Sequence, residues 1–145
     1  MNQGKMPTTY QGLPHVRISL LARNGLLPKR SGLNWGQRPE YNRNPNEAYI
    51  RVPKNIDDLN FFPDTGTPFV LQTDDGQKLR VTREQSNSKA ITTYENNGVI
   101  GEYFRKRLGL VDGALVKKAD LVRYGRTDID FYKVNKTTYI LDFHV

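Results

Sequence analysis

The sequence predicts a mainly β fold with two short helices, arranged as a small, partly open antiparallel barrel or sandwich. Short segments in which apolar and polar residues alternate recur along the chain, and turn residues such as Asp75-Gly76 separate them. Only 37% of the residues are hydrophobic. Alternation with a period of two is typical of half-buried strands, and many short strands joined by turns predict an antiparallel sheet. We therefore expect a modest core with long polar loops.

The length of 145 residues is typical of one domain. Residues 1–15 are polar, contain several glycines and prolines, and lack hydrophobic periodicity. We interpret them as a tail or linker. Residues 16–145 are then expected to form the folded domain.

Seven or eight strands are expected. Asp75-Gly76 is a strong hairpin signal, Asn135-Lys136 predicts a second hairpin turn, and Pro53 ends one alternating segment. The expected strands are residues 16–20, 48–52, 68–73, 78–82, 90–94, 114–118, 131–134 and 138–143.

Two short helices interrupt the strands. Asn55 is expected to cap the first, a turn or two whose aspartates suit its positive end. Asn97 is expected to cap the second, over residues 98–108, and Gly109 ends it. Apolar residues recur at helical spacing in this second segment: Ile100, Tyr103, Phe104 and Leu108.

The charge balance favours a polyanionic partner, because the formal net charge is +7. The chain has no cysteine, which excludes disulfides and thiolate-bound zinc. No apolar run approaches the length of a membrane span, and the amino terminus lacks the apolar centre of a signal peptide. We expect a cytoplasmic protein that does not contact a membrane.

A search for catalytic residues is largely negative. The two histidines, His15 and His144, lie at opposite ends of the sequence, and neither begins the His-x-Lys pattern of phospholipase-D-type nucleases. No Asp or Glu is followed two residues later by Lys, as metal-dependent restriction nucleases require. Asp74-Asp75 is interpreted as part of a turn, and the strand-spaced pair Asp128 and Asp130 lacks a third ligand. We expect no catalytic site, no metal and no cofactor in this chain.

The main functional signal is a basic, amide-rich loop between the first two predicted strands. Arg and Lys neutralise phosphates, whereas Arg, Asn and Gln recognise base edges through paired hydrogen bonds. The loop therefore predicts insertion into a groove of DNA. We favour an anchoring role for Trp35 over base stacking. The candidate DNA-binding residues of this loop are Arg23, Asn24, Lys29, Arg30, Ser31, Asn34, Trp35, Gln37, Arg38 and Arg43.

A second polar loop lies between two later predicted strands. Together the two loops are expected to grip a duplex from both sides of one groove, although an ordinary solvated hairpin loop is the alternative. The candidate DNA-binding residues of the second loop are Arg83, Gln85, Ser86, Asn87, Ser88 and Lys89. A further basic set is expected to meet phosphates or solvent rather than bases: Lys117, Lys118, Arg123 and Arg126.

Several motifs resemble the B3-like recognition domains of restriction endonucleases, whose fold is shared by plant B3 transcription-factor domains. The similarity is closest to the version attached to phospholipase-D-type nucleases and covers about residues 16–131. The motifs are residues 31–38, 46–50, 61–63, 74–76, 97–108 and 124–126.

The resemblance implies an open, seven-stranded, B3-like pseudobarrel that clasps the major groove of DNA with two arms. By this resemblance the first arm is residues 23–46 and the second arm is residues 83–89, which coincide with the two polar loops. It also implies sequence-specific recognition of double-stranded DNA, at a short site, by the monomer and without metal. Cleavage would come from a separate nuclease domain of the same type II restriction endonuclease, a hydrolase of a restriction-modification system.

Two other functions remain open from the sequence. A stand-alone transcription regulator would use the same surface without a nuclease domain. A basic RNA-binding module would prefer exposed bases and would be expected to stack aromatic side chains on them.

Overall fold

The sheet in the computed structural model contains six strands, in the order β1-β5-β6-β2-β3-β4. The structure describes residues 10, 12–84, 90–94 and 96–145. The strands are β1 (His15–Ser19), β2 (Phe69–Thr73), β3 (Lys78–Arg83), β4 (Ile91–Thr93), β5 (Asp128–Lys133) and β6 (Thr138–Asp142). The α-helices are α1 (Lys54–Asp57), α2 (Gly98–Leu108) and α3 (Lys118–Tyr124).

Neighbouring strands run antiparallel except β2 and β6, which are parallel. The sheet curls into a half-barrel. Beyond its β4 edge, Ile50 forms an isolated bridge with Ile91. The chain therefore passes along the edge of β4 directly after the first arm.

Aromatic residues fill the centre of the core. The ring of Phe62 lies 5.2 Å from that of Phe131 and 5.4 Å from that of Tyr139, measured between centroids. The Tyr139 hydroxyl donates a hydrogen bond to the backbone oxygen of Phe61 at 2.7 Å, which satisfies its polar end. Each such buried side chain contributes about 1.5–3 kcal/mol. The result is a stiff base for the loops.

The expected mainly β architecture is confirmed, but the expected seven strands are not: six are present among the described residues. Residues 48–52 were predicted to be a strand and contribute only the Ile50 bridge. Their backbone N–H groups bond to three separate partners, since Ala48 donates to Asn97, Tyr49 to Gly32 and Ile50 to Ile91. A segment that divides its hydrogen bonds in this way cannot form a ladder with one neighbouring strand.

The predicted strand at residues 114–118 is also wrong, because α3 begins at Lys118. The backbone of Val116 bonds to the side chain of Asn34 instead of to another strand. Helix α3 was not predicted. Its start is marked by Asp120, whose carboxylate accepts the Lys117 N–H at 2.8 Å, and its end by Gly125 at φ 113°.

Several local predictions are confirmed. Gly76 has φ 90° in the β2–β3 turn, and Gly109 ends α2 with φ 72°. Helix α1 differs in detail, because Pro53 precedes it and Asn55 lies inside it. Among the described residues, no helix combines the length and the apolar character that crossing a bilayer requires.

Candidate DNA-binding site

A groove with a volume of about 890 Å³ lies between the first arm and α1. Leu20 and Leu21, just after β1, provide apolar walls together with Leu33 and Ile50. Polar and charged residues also line the groove: Ser19, Arg23, Ser31, Arg51, Lys54, Asn55 and Asp58. Of the predicted DNA-binding residues, Arg23 and Ser31 are thus brought to one concave surface.

The cations of the groove are available to a ligand. Arg23 and Arg51 are exposed and make no side-chain hydrogen bond or ion pair with the described residues. Lys54 pairs with Asp58 at 2.9 Å across one turn of α1, with both side chains exposed. An exposed pair of this kind contributes little to stability, so a phosphate can replace it. Arg51, Lys54 and Asn55 were not predicted, because they lie beyond the amide-rich part of the loop.

Trp35 forms the centre of a cationic cluster on the first arm. The guanidinium carbon of Arg38 lies 4.0 Å from the centroid of the Trp35 ring, and that of Arg43 lies 5.2 Å away. The ring of Tyr49 packs edge-on at 5.7 Å. These contacts fit the anchoring role favoured for Trp35, and they fix the orientation of two arginines.

Three cations of the first arm are tethered by bonds to residues in or next to the arm. Arg38 donates from Nε and Nη2 to the backbone oxygen of Arg30, at 3.2 and 2.9 Å. Arg30 itself pairs with Glu40, and Arg43 pairs with Glu47 at 3.0 Å. Lys29 is exposed and has no side-chain partner in the part of the chain that the structure describes. The Asn24 side chain accepts the Leu26 N–H at 3.0 Å and so supports a turn.

Two amides that were predicted to contact DNA are used inside the protein. Asn34 is completely buried, and its Nδ2 donates to the backbone oxygens of Pro28 and Val116, both at 2.8 Å. Its Oδ1 accepts the Val116 N–H at 2.9 Å. Gln37 donates from Nε2 to Pro45 and Gly113, both at 3.0 Å. These bonds attach the first arm to the segment between α2 and α3.

Two further buried polar residues hold the same attachment, and neither was predicted. Asn46 donates to the Asp112 carboxylate and accepts the Gly113 N–H, both at 2.9 Å. Arg105 of α2 is only 1% exposed and donates to the backbone oxygens of Leu33, Gly101 and Ala114. Burial lowers the pKa of Arg105, and the nearby Asp112 partly offsets this. The sequence signal for it is helical spacing, because Arg105 lies four residues after Gly101 and three before Leu108, on the buried side of α2.

The close approach of α2 to the arm depends on a glycine. A Cβ atom at Gly101 would lie 1.6 Å from the backbone oxygen of Asn46. No side chain fits there, so the helix and the arm can pack at this distance only with glycine.

The second arm begins at Arg83, whose side chain is buried. Its guanidinium donates to the backbone oxygen of Pro63 at 3.1 Å and pairs with Asp57 of α1. Because α1 lines the groove, this pair connects the groove to the base of the second arm. The remaining predicted contacts of that arm lie outside the described residues and stay predictions: Gln85, Ser86, Asn87, Ser88 and Lys89.

Two groups of residues around buried aspartates lie outside the groove, among the described residues. The first is centred on Asp130. Burial raises the pKa of Asp130, but hydrogen bonds from Arg17, His15 and Arg126 outweigh this effect and lower that pKa to about 2. In the second group, ligand atoms of Asp74, Asp142 and His144 lie within 4.8 Å of one another.

The carboxylate of Asp74 is nevertheless bonded to other groups of the protein. Its carboxylate accepts the Tyr103 hydroxyl at 2.7 Å and the Phe143 N–H at 2.8 Å, and it pairs with Arg107. We assign Asp74 a structural role, which joins the β2–β3 turn to α2 and to the end of β6.

A family model described as the NgoFVII C-terminal B3-like DNA-binding domain matches residues 8–135, which is most of the chain. No curated protein sequence matches this chain. The match agrees with the curled sheet of this mainly β fold. This chain therefore belongs to the NgoFVII C-terminal B3-like DNA-binding domain family.

Proposed function

We propose that this chain is the sequence-specific double-stranded DNA recognition domain of a type II restriction endonuclease, and that its two arms clasp the major groove. Cleavage would belong to a separate nuclease domain of the same protein. The observation that carries the proposal is the cationic groove of the first arm, in a chain that belongs to a family of DNA-binding domains.

The groove suits a phosphate backbone. Arg23 and Arg51 line it without side-chain partners among the described residues, and Lys54 has only an exposed, exchangeable one. Arginine and lysine bind phosphate through charge-assisted hydrogen bonds and release condensed counterions. These contacts would give affinity and register without selecting a sequence.

Base recognition would come from exposed donors of the arms. On the first arm we propose Arg30, Ser31 and Arg38. Arg30 is exposed and Ser31 lines the groove. Arg38 bonds to the described residues only through Nε and Nη2, and its stacking on Trp35 fixes its orientation. Bidentate contacts of arginine to guanine discriminate by roughly 1–3 kcal/mol.

Asn34 and Gln37 are proposed to position the first arm instead, since their amide donors are already bonded to the protein. The corresponding role in base recognition on the second arm would fall to Gln85, Asn87 and Lys89.

Selection of bound duplexes from a random pool tests the proposal. We expect a short consensus site, bound without added metal, and binding that weakens steeply with salt because several phosphates are neutralised. Competition should rank the selected duplex above a scrambled duplex and above single-stranded RNA. A pool without any enriched sequence, or stronger competition by RNA, would contradict it.

A further inference from the structure

The cations of the first arm continue onto a second surface, next to that arm and outside the groove. Asn34 Nδ2 bonds to the backbone oxygens of Pro28 and Val116 at 2.8 Å each. These two positions therefore lie next to each other in space, although they are far apart in sequence. Lys29 follows Pro28 directly, and Lys117 and Lys118 follow Val116. The buried amide thus places three lysines around one point of attachment.

These lysines form a surface of unneutralised charge. Lys29, Lys117 and Lys118 are exposed and have no side-chain hydrogen bond or ion pair with any described residue. Two acids close to these lysines in sequence bind other groups. Asp120 accepts the Lys117 N–H and pairs with Arg123 at 3.1 Å, and Asp112 accepts the Asn46 amide.

The position of these lysines relative to the groove indicates which part of a DNA duplex they would contact. Pro28 lines the groove, whereas Lys117 and Lys118 do not. Val116 is attached to the arm through the buried Asn34 and does not line the groove. A loop inserted into the major groove, which is roughly 12 Å wide, has a phosphate backbone on each side of it. One backbone would meet Arg23 and Arg51, and the other would pass the side of the arm that carries Lys117 and Lys118.

We propose that Lys117 and Lys118, with Lys29, bind the backbone phosphates of the second DNA strand beside the inserted first arm. This contact rests on the proposed function, because it requires the arm to lie in a duplex groove. It is independent of base sequence, and it would fix the depth and tilt of the arm through the attachment at Val116.

A pair of variants with equal net charge tests the proposal. Lys117→Ala/Lys118→Ala removes two positive charges from the proposed surface. Lys78→Glu changes the charge by the same amount at the exposed first residue of β3, at the opposite end of that strand from the second arm. Melting curves establish that each variant is folded. Dissociation constants are then measured against salt, on a selected duplex and on a scrambled one.

We expect the double variant to weaken binding to both duplexes by the same factor, about tenfold at low salt. The slope of log affinity against log salt should become shallower by about two, as expected for two lost phosphate contacts. Lys78→Glu should retain the wild-type slope. An unchanged slope in the double variant, or an equal effect of Lys78→Glu, would overturn the proposal.

Neutral methylphosphonate linkages, placed one at a time, locate the contact. Linkages at the contacted phosphates should weaken the wild-type chain and leave the double variant unaffected. If the wild-type protein binds duplex but every linkage affects both proteins equally, the proposed phosphate contact of the lysines is wrong. The proposed phosphate contact in the groove would be unaffected by that result. If wild-type protein binds no duplex, the proposed function fails as well.

Discussion

Arg83 and Asp57 form an ion pair between the last residue of β3 and the last residue of α1. The Arg83 side chain is 5% exposed and also donates to the Pro63 backbone oxygen. The pair joins the base of the second arm to the helix that lines the groove of the first. The position of Arg83, the first residue of the second arm, relative to the groove therefore depends on a buried electrostatic contact.

Replacing Arg83 with alanine should lower the free energy of unfolding by about 3 kcal/mol, because it breaks the ion pair with Asp57 in a largely buried site. Urea denaturation measures this. Arg80→Ala is the matched control on the same strand, since Arg80 is exposed and only approaches the Tyr94 ring at 5.5 Å. It should cost less than about 1 kcal/mol. Equal, small losses would show that the pair is not important for stability.

Direct base contact by Arg83 stays a prediction. The specific test is the ratio of affinities for a selected and a scrambled duplex, at a temperature where Arg83→Ala is fully folded. If Arg83 acts through the pair, Asp57→Ala should lower this ratio as much as Arg83→Ala does. A much larger effect of Arg83→Ala would indicate direct contact with DNA.

Arg38→Ala should lower binding to the selected duplex far more than binding to a scrambled duplex. Its guanidinium stacks on Trp35 and holds the Arg30 backbone oxygen with two donors. Arg38→Lys keeps the charge but cannot make the same planar, two-donor contact, so it should lose specificity as well. Equal losses on the two duplexes would make Arg38 a phosphate contact only.

Asn34→Asp should destabilise the fold by about 3 kcal/mol. The change replaces a donor to two backbone oxygens with an acceptor, in a fully buried site. Asn24→Asp makes the same chemical change at an exposed turn and should be nearly neutral, since its Oδ1 can still accept the Leu26 N–H. Thermal melts at neutral pH compare them. Similar melting temperatures would contradict the structural role of Asn34.

Asp130 should make stability depend on pH. Its pKa is about 2 in the folded chain, below the ordinary value of 3.8, and its side chain is 6% exposed. Because this pKa is lower in the folded than in the unfolded chain, the ionised carboxylate stabilises the fold. The stabilisation is complete above about pH 5, and about 2 kcal/mol of it is lost as the pH falls towards 2.

Urea denaturation between pH 7 and pH 2.5 measures this loss. Asp130→Asn should flatten the acidic limb of the stability curve, because the variant lacks the group that binds the proton. An NMR titration that places the carboxyl of Asp130 near pH 4 would contradict the expectation.

The sequence predicted those features that depend on local pattern. Alternation and Asp75-Gly76 placed the β2–β3 hairpin, and Gly109 placed the end of α2. Residues 48–52 alternate as a strand should, but their hydrogen bonds are divided among three partners that only the tertiary fold brings together. The alternation of apolar and polar residues within one segment does not show which groups its backbone N–H and C=O will bond to.

Composition singled out the first-arm loop, but it did not show which of its polar side chains are buried. Asn34 and Arg30 both looked suited to base contact, yet Asn34 is buried and Arg30 is exposed. An asparagine that bonds to backbone groups has the same side-chain chemistry as one that bonds to a base. Only its burial in the folded chain distinguishes the two roles. The buried Arg105 was missed for a related reason, since its partners are backbone oxygens rather than acidic residues.

The most direct test of the account replaces each purine of the selected site, one at a time, with its 7-deaza analogue. This removes the N7 acceptor in the major groove and leaves the minor groove unchanged. Inosine in place of guanine removes the minor-groove amino group instead. We predict that at least one 7-deaza position weakens binding by roughly 1–2 kcal/mol, or about five- to thirtyfold, while inosine has little effect. Full affinity for every 7-deaza duplex, with losses only on inosine, would contradict recognition in the major groove.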